Sequence, residues 1–295
     1  MYYLYGADYC VRMIYRLAKA HNEALEISSF DALRGGYLNF LEVRQEKNKV
    51  NHKDDIFIRD ASAELALAKS FSQASLNDLN QEHVVGDAYE DGIRNTKLKV
   101  AEEALSQLLT RDENLALVFG LAIHSIFVRA YQTAPGIMAS HGGSSSGSIG
   151  AIWLAVNDGI SERDLMEMYV HELTHHLLFI DELNFPQFNY EELTKKHNFT
   201  TSAILKRPRP LDKAVHSIVV STELVLARNS IFGWHDALSF HPATLDLIES
   251  TLFAIDELKS KANASDLMSK HMLSIVADCK DALYASRLEV VHECQ

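Results

Sequence analysis

The stretch that most restricts how this chain can fold is YVHELTHHLL, residues 169–178, which holds His171, Glu172 and His175 in the order H-E-x-x-H and His176 directly after. Two imidazoles four residues apart converge on one point only if the backbone between them is helical, because an α-helix turns once every ~3.6 residues. The flanks favour that helix. Ser161 is a good N-cap, and Asp164 three residues on makes a capping box with Asp in place of the usual Glu. Leu165, Met168, Leu173 and Leu177 supply apolar contacts, and Asn184 and Pro186 mark the end.

The rest of the chain also reads as mostly helical. DYCVRMIYRLAKAHNEALEI, ASAELALAKSFSQA and KLKVAEEALSQLLT return apolar residues every three or four positions. Residues 112–131, with the apolar run LALVFGLAIHSIFV, read as one buried helix stopped by TAPG at 133–136. Then ASHGGSSSGSIGAIWLAVNDG (139–159) begins as a Gly/Ser loop, either a surface linker or a mobile flap beside the H-E-x-x-H helix. Its second part, SIGAIWLAV, has the composition of a strand. Pro208 and Pro210 exclude a helix before them, and Leu211 to Arg228 reads as a helix with an apolar face. Two more helices, starting near His241-Pro242 and Ala264-Ser265, close the chain. The expectation is a mainly α fold with a small β component, residues 1–135 forming a helical scaffold and 136–295 bearing the histidine motif, within one continuous domain.

Charge narrows the partners. With 28 Lys and Arg against 40 Asp and Glu, the net charge is −12 and no basic block occurs, which argues against nucleic acid or an anionic membrane. Cys10, Cys279 and Cys294 are odd in number, scattered and without C-x-x-C spacing, so a reducing compartment is expected rather than a disulfide framework. The first residues carry Asp8 early and lack a basic segment followed by an uninterrupted apolar core, so they do not read as a signal peptide. The longest apolar run is too short for a bilayer and contains His124 and Ser125. A cytoplasmic protein is expected.

On a helix, H-E-x-x-H is the zinc metalloprotease arrangement, with the glutamate acting as base on metal-bound water; the expected element is a zincin-like active-site helix. The third ligand is open. A glycine at 178 with a ligand at 181 would make one known pattern, but position 178 is Leu, which counts against Asp181. Glu191 and Glu192 fall in the irregular FNYEEL, and His197 in a polar, exposed segment. His216 lies on the apolar face of 211–228 beside Val215, Ile218 and Val219, with Glu223 two turns along. Once buried, both need partners. They satisfy each other or a backbone group, or His216 completes a metal site with Glu223 orienting it or ligating in its place. Arg207 and Arg209 precede a helix start, where the dipole disfavours cations. They are solvated loop residues, or one clamps a carboxylate near the metal. Imidazoles suit zinc and iron alike, so the motif does not choose between them.

HELTHHLLFIDEL followed by RPRPLDKAVHSIVVSTELVLARN resembles a bacterial family of H-E-x-x-H peptide-modification proteins encoded beside ribosomally made precursor peptides. The family's second block, R-P-L, four residues and a histidine, is matched by Arg209, Pro210, Leu211 and His216. The resemblance runs from the Gly-rich segment onward. It implies an Fe(II)- and 2-oxoglutarate-dependent oxygenase that hydroxylates a side-chain β-carbon in a precursor peptide. His171, His175 and His216 would then ligate iron, and Arg209, or Arg207 in its place, would pair with a carboxylate of 2-oxoglutarate. Glu172 would hydrogen-bond a bound group or the substrate. The peptide would lie extended along SIGAIWLAV by strand addition. The alternatives are a zinc leader peptidase with Glu172 as base, and a helical binding module with a vestigial motif.

Overall fold

Helices dominate both units into which the chain divides, one formed by Ala7–Asn184 and the other joining Met1–Gly6 to Phe185–Gln295. The computed structural model describes residues 1–45, 48–71, 85–131, 141–193, 195–234, 240–261 and 263–293. The division differs from the expected boundary at 135/136, because residues 141–184 belong with the helices that precede them. Cys10 and Cys279 are buried free thiols, while Cys294 lies outside the described residues, as does TAPG at 133–136. No helix among the described residues is long and apolar enough to cross a membrane.

After α1 (Tyr2–Tyr5), the unit Ala7–Asn184 contains α2 (Ala7–His21), α3 (Phe30–Arg44), α4 (Ala61–Phe71), α5 (Asp91–Leu109), α6 (Glu113–Ala122), β1 (Ser125–Val128), β2 (Gly142–Gly143), β3 (Ala151–Leu154) and α7 (Glu162–Asn184). Helix α7 is its spine, packed by α2, α5, α6 and β2. The expected capping box starts it. Asp164 N–H donates to Ser161 Oγ (3.0 Å), and that hydroxyl donates back to Asp164 Oδ2 (2.5 Å).

The single helix expected over 112–131 is two elements. Asp112 caps α6 by accepting from the Asn114 and Leu115 amides (3.0 and 3.1 Å), but the helix ends at Ala122 and Ser125–Val128 is a strand. The Ile126-Phe127-Val128 triplet suits a strand. It pairs in parallel with β3, Ile126 opposite Ile152, and every residue of β1 is buried. A strand covered on both faces is apolar without alternation, which periodicity does not separate from a buried helix.

The sheet order is β1-β3-β2, with β2 antiparallel to β3. On its other side, β1 exchanges Ile58 N–H to Ile126 O (2.8 Å) and Ile126 N–H to Ile56 O (2.7 Å). The expected strand in SIGAIWLAV is therefore β3, and it is central. Over Trp153 and Leu154 it is paired on both sides, so an extended peptide cannot add there as expected. Behind the sheet, Trp153, Phe127 and Ala151 pack with Leu67 of α4. Glu64 of α4, 1% exposed, takes Arg129 Nη1 at 2.8 Å and Arg94 Nη1 of α5 at 3.5 Å, tying both helices to the end of β1.

The other unit holds α1, α8 (Tyr190–Leu193), β4 (Thr200–Thr201), β5 (Pro208–Arg209), α9 (Leu211–Ala227), α10 (Thr244–Ser260), α11 (Ala264–Leu267) and α12 (Lys270–Glu293). Helix α9 is its centre, flanked by α1, α10, α12 and the β4–β5 hairpin. It starts directly after Pro210, as the sequence predicts, and the two prolines fall in or beside β5 rather than in a helix.

Candidate metal centre

From Asp164 to Asp181, α7 is buried at every position except His171 and His175. Those two imidazoles lie one turn apart with ring centroids 5.1 Å apart and planes tilted by 58°. Phe179, one turn further, lies nearly parallel to the His175 ring at 6.4 Å. Over that stretch the two H-E-x-x-H histidines are the partly exposed positions.

Glu172 points elsewhere. It is 2% exposed, and Ser144 Oγ donates to its Oε2 at 2.6 Å. Ser144 follows directly on β2, and β2 lies tight against α7. A Cβ on Gly142 would stand 2.7 Å from Met168 Cε, 3.1 Å from the Trp153 carbonyl and 3.2 Å from Glu172 Oε1. One on Gly143 would stand 2.4 Å from Trp153 Nε1. Gly142 thus lets β2 approach α7, and Gly143 lets it lie against Trp153 of β3, which places Ser144 at the Glu172 carboxyl. Burial pushes the Glu172 carboxyl up to about 8, and the Ser144 hydrogen bond draws it back.

His176, by contrast, is buried. Its Nδ1 accepts from the Gly150 amide (3.1 Å) and its Nε2 donates to the Ala151 carbonyl (3.1 Å), which fixes α7 to the start of β3. Burial, with His124 nearby, lowers its pKa to about 3, so the ring is neutral, as that bonding pattern requires. The described part of the Gly/Ser segment is also fastened. The Gln45 amide group accepts from Ile149 N–H (2.8 Å) and donates to its carbonyl (3.0 Å), Asn48 donates to the Gly147 carbonyl, and Ser70 and Ser148 share a hydrogen bond of 2.7 Å. Residues 144–150 are a pinned wall, not a linker. Ser144, Gln45 and Gly142 had no signal in the sequence, because nothing there distinguishes one serine of GGSSSGS from the next.

The rejected ligand candidates have other places. Asp181 is fully buried and accepts from the Tyr9 hydroxyl, whose pKa is raised by burial and by that carboxylate. Glu192 pairs with Lys195 at 2.6 Å near the surface, Glu191 is exposed, and so is His197.

In the other unit, His216 is 5% exposed on α9, 6.3 Å from the Phe188 ring. Burial lowers its pKa to about 3; the charges of Lys213 and Arg209 add to the shift, and that of Asp212 opposes it. Arg209 lies at the end of β5 and is partly exposed. Arg207 is also partly exposed, with its Nε buried and lacking a hydrogen-bond partner. Glu223 neither pairs with His216 nor stands available as a ligand. Its Oε2 accepts from Tyr3 N–H (2.9 Å), its Oε1 accepts from Leu4 N–H (2.9 Å), and it pairs with the Met1 ammonium. The expected catalytic or orienting carboxylate is the anchor of α1, because the first amides of a helix have no intrahelical acceptor.

Two imidazoles on one face suit a borderline divalent cation and can supply two of its ligands. Among the described residues no group of three His, Cys, Asp or Glu side chains is gathered to hold an ion. His171 and His175 belong to one unit and His216 to the other. No protein-family model and no curated protein matches the chain.

Proposed function

We propose that this chain is an Fe(II)- and 2-oxoglutarate-dependent oxygenase that hydroxylates a side-chain β-carbon of a ribosomally made precursor peptide. The observation that supports a metal centre is that, between Asp164 and Asp181 of α7, only His171 and His175 are not buried, and they lie one turn apart. Those two imidazoles are the proposed ligands, and His216 is the third by its place in the R-P-L-x-x-x-x-H match. Arg209, by its place in the R-P-L-x-x-x-x-H match, is the proposed partner of a carboxylate of 2-oxoglutarate, which a guanidinium can hold bidentately. Arg207 is the substitute for that role. When bound, iron with 2-oxoglutarate and dioxygen supplies the conversion of C–H to C–OH, with 2-oxoglutarate leaving as succinate and carbon dioxide. In this reading Glu172, engaged by Ser144, is neither ligand nor base.

A second reading, a zinc leader peptidase, is favoured by one observation. Glu172 is a buried carboxyl raised to about 8 next to a candidate ligand, which is the kind of perturbation a general base shows.

The test needs no peptide at first. Adding 2-oxoglutarate to the Fe(II)-loaded protein without oxygen is expected to produce a visible charge-transfer band, and Arg209→Ala to weaken it at the same 2-oxoglutarate concentration. With precursor peptide, air and ascorbate, the product should gain one oxygen only when 2-oxoglutarate is present. Absence of the band, together with peptide cleavage by the zinc-loaded protein alone, would replace the oxygenase by the peptidase.

A further inference from the structure

We propose that Ser144 is a positioning residue that keeps the Glu172 carboxylate out of the coordination shell of an ion held by His171 and His175; this rests on the metal centre proposed above. Glu172 directly follows one of the candidate ligands, and two imidazoles plus one carboxylate is a common ligand set for iron and zinc. A carboxylate in that position therefore has two uses, as a ligand or as a group beside the ion. The chain settles the matter on the sheet side of α7. Oε2 accepts from the Ser144 hydroxyl at 2.6 Å, while Oε1 faces Gly142. Glu172 is 2% exposed, whereas both histidines are partly exposed.

Ser144 is itself fixed from two directions. Before it, Gly142 and Gly143 are paired to Leu154 and Trp153 of the central strand. After it, residues 147–149 are tied to Gln45, Asn48 and Ser70. A side chain held this way anchors a neighbour without reorganising, as an orienting partner must. With Glu172 held back, positions around the ion stay open for an external dicarboxylate.

The experiment uses the full chain loaded with Co(II), whose visible absorption reports ligand number and type. Ser144→Ala is expected to change the Co(II) spectrum as the released carboxylate joins the ion. Ser144→Thr, which keeps the hydroxyl, is expected to restore the wild-type spectrum. In Ser144→Ala/Glu172→Gln the change should disappear, which a general loosening of the loop would not produce. A metal-free crystal structure of Ser144→Ala should show the Glu172 side chain turned away from β2. The proposal is overturned if Ser144→Ala binds Co(II) with the wild-type spectrum, or if its altered spectrum persists without Glu172. A wild-type protein that binds no Co(II) fails differently, removing the metal centre itself and this inference with it.

Discussion

Gly150 offers the sharpest test of how the wall beside the site is built. It has φ +90°, and a Cβ there would stand 2.4 Å from His124 Cδ2, 2.9 Å from His124 Nε2 and 3.0 Å from the Ala122 carbonyl. The backbone part of a Gly150→Ala change costs about 1–2 kcal/mol, the usual penalty for a left-handed L-residue. The steric part depends on whether the His124 ring can yield. It is held on three sides, by the Ile149 carbonyl at Nε2 (3.1 Å) and by the Ser125 hydroxyl (2.9 Å) and Asn51 amide (3.3 Å) at Nδ1. Overpacking against a fixed group adds about 1–3 kcal/mol, so the total expected is about 2–5 kcal/mol. Gly159 provides the control, because it has φ +83° with nothing within 4 Å of its added Cβ; Gly159→Ala should lose only the backbone part. The assay is equilibrium urea unfolding of both variants beside wild type. If Gly150→Ala loses no more than Gly159→Ala, the ring is not fixed and the wall is softer than its hydrogen bonds imply.

Three further outcomes are expected. His124, whose pKa burial lowers from 6.5 to about 4 with Arg34 and His52 adding and the Ile149 carbonyl opposing, also acts on His176. It should stabilise the fold fully above pH 6.5 and lose that contribution as pH falls towards 4, by about 3 kcal/mol at ~1.36 per unit; the unfolding free energy of wild type minus His124→Asn, measured from pH 7 to 4, should show this fall, and a flat difference would contradict it. Glu223→Ala strands the buried donors of Met1, Tyr3 and Leu4 and should cost about 3–5 kcal/mol, whereas a loss below about 1 kcal/mol in urea unfolding would mean the carboxylate is not the anchor of α1. Ser161→Ala removes the cap of α7 and should lower stability by about 1 kcal/mol, with Ser161→Thr close to wild type.

The readable parts of the sequence were those written in local chemistry. The α7 capping box, the start of α9 after Pro210 and the helical H-E-x-x-H each depend on residues within one turn of one another. What escaped depends on partners far along the chain. Ile126-Phe127-Val128 became strand because β3 and residues 56–58 offered hydrogen bonds, a fact absent from its own composition. Glu223 and His216 share an apolar helix face two turns apart, and sequence spacing suggested a common task. The carboxylate instead satisfies amides more than two hundred residues earlier. Ser144 was hidden for a third reason, since a Gly/Ser run is informative about flexibility and silent about which hydroxyl meets a carboxylate.

Between Asp164 and Asp181, His171 and His175 are the two positions of α7 that are not buried. Four buried polar groups of the same helix have partners close by. Asp164 caps the helix, Glu172 takes Ser144, His176 joins Gly150 to Ala151 and Asp181 takes Tyr9. Histidine is a poorer helix former than leucine by a few tenths of a kcal/mol, and a partly exposed imidazole adds less apolar burial than a leucine in its place. If the pair exists for a ligand, the fold is slightly worse for having it, as functional positions often are. His171→Leu/His175→Leu in the metal-free protein should therefore melt at or slightly above the wild-type temperature and bind no Co(II). A marked loss of stability in that metal-free variant would show the two rings to be structural and would take away the ground for a metal centre on this helix.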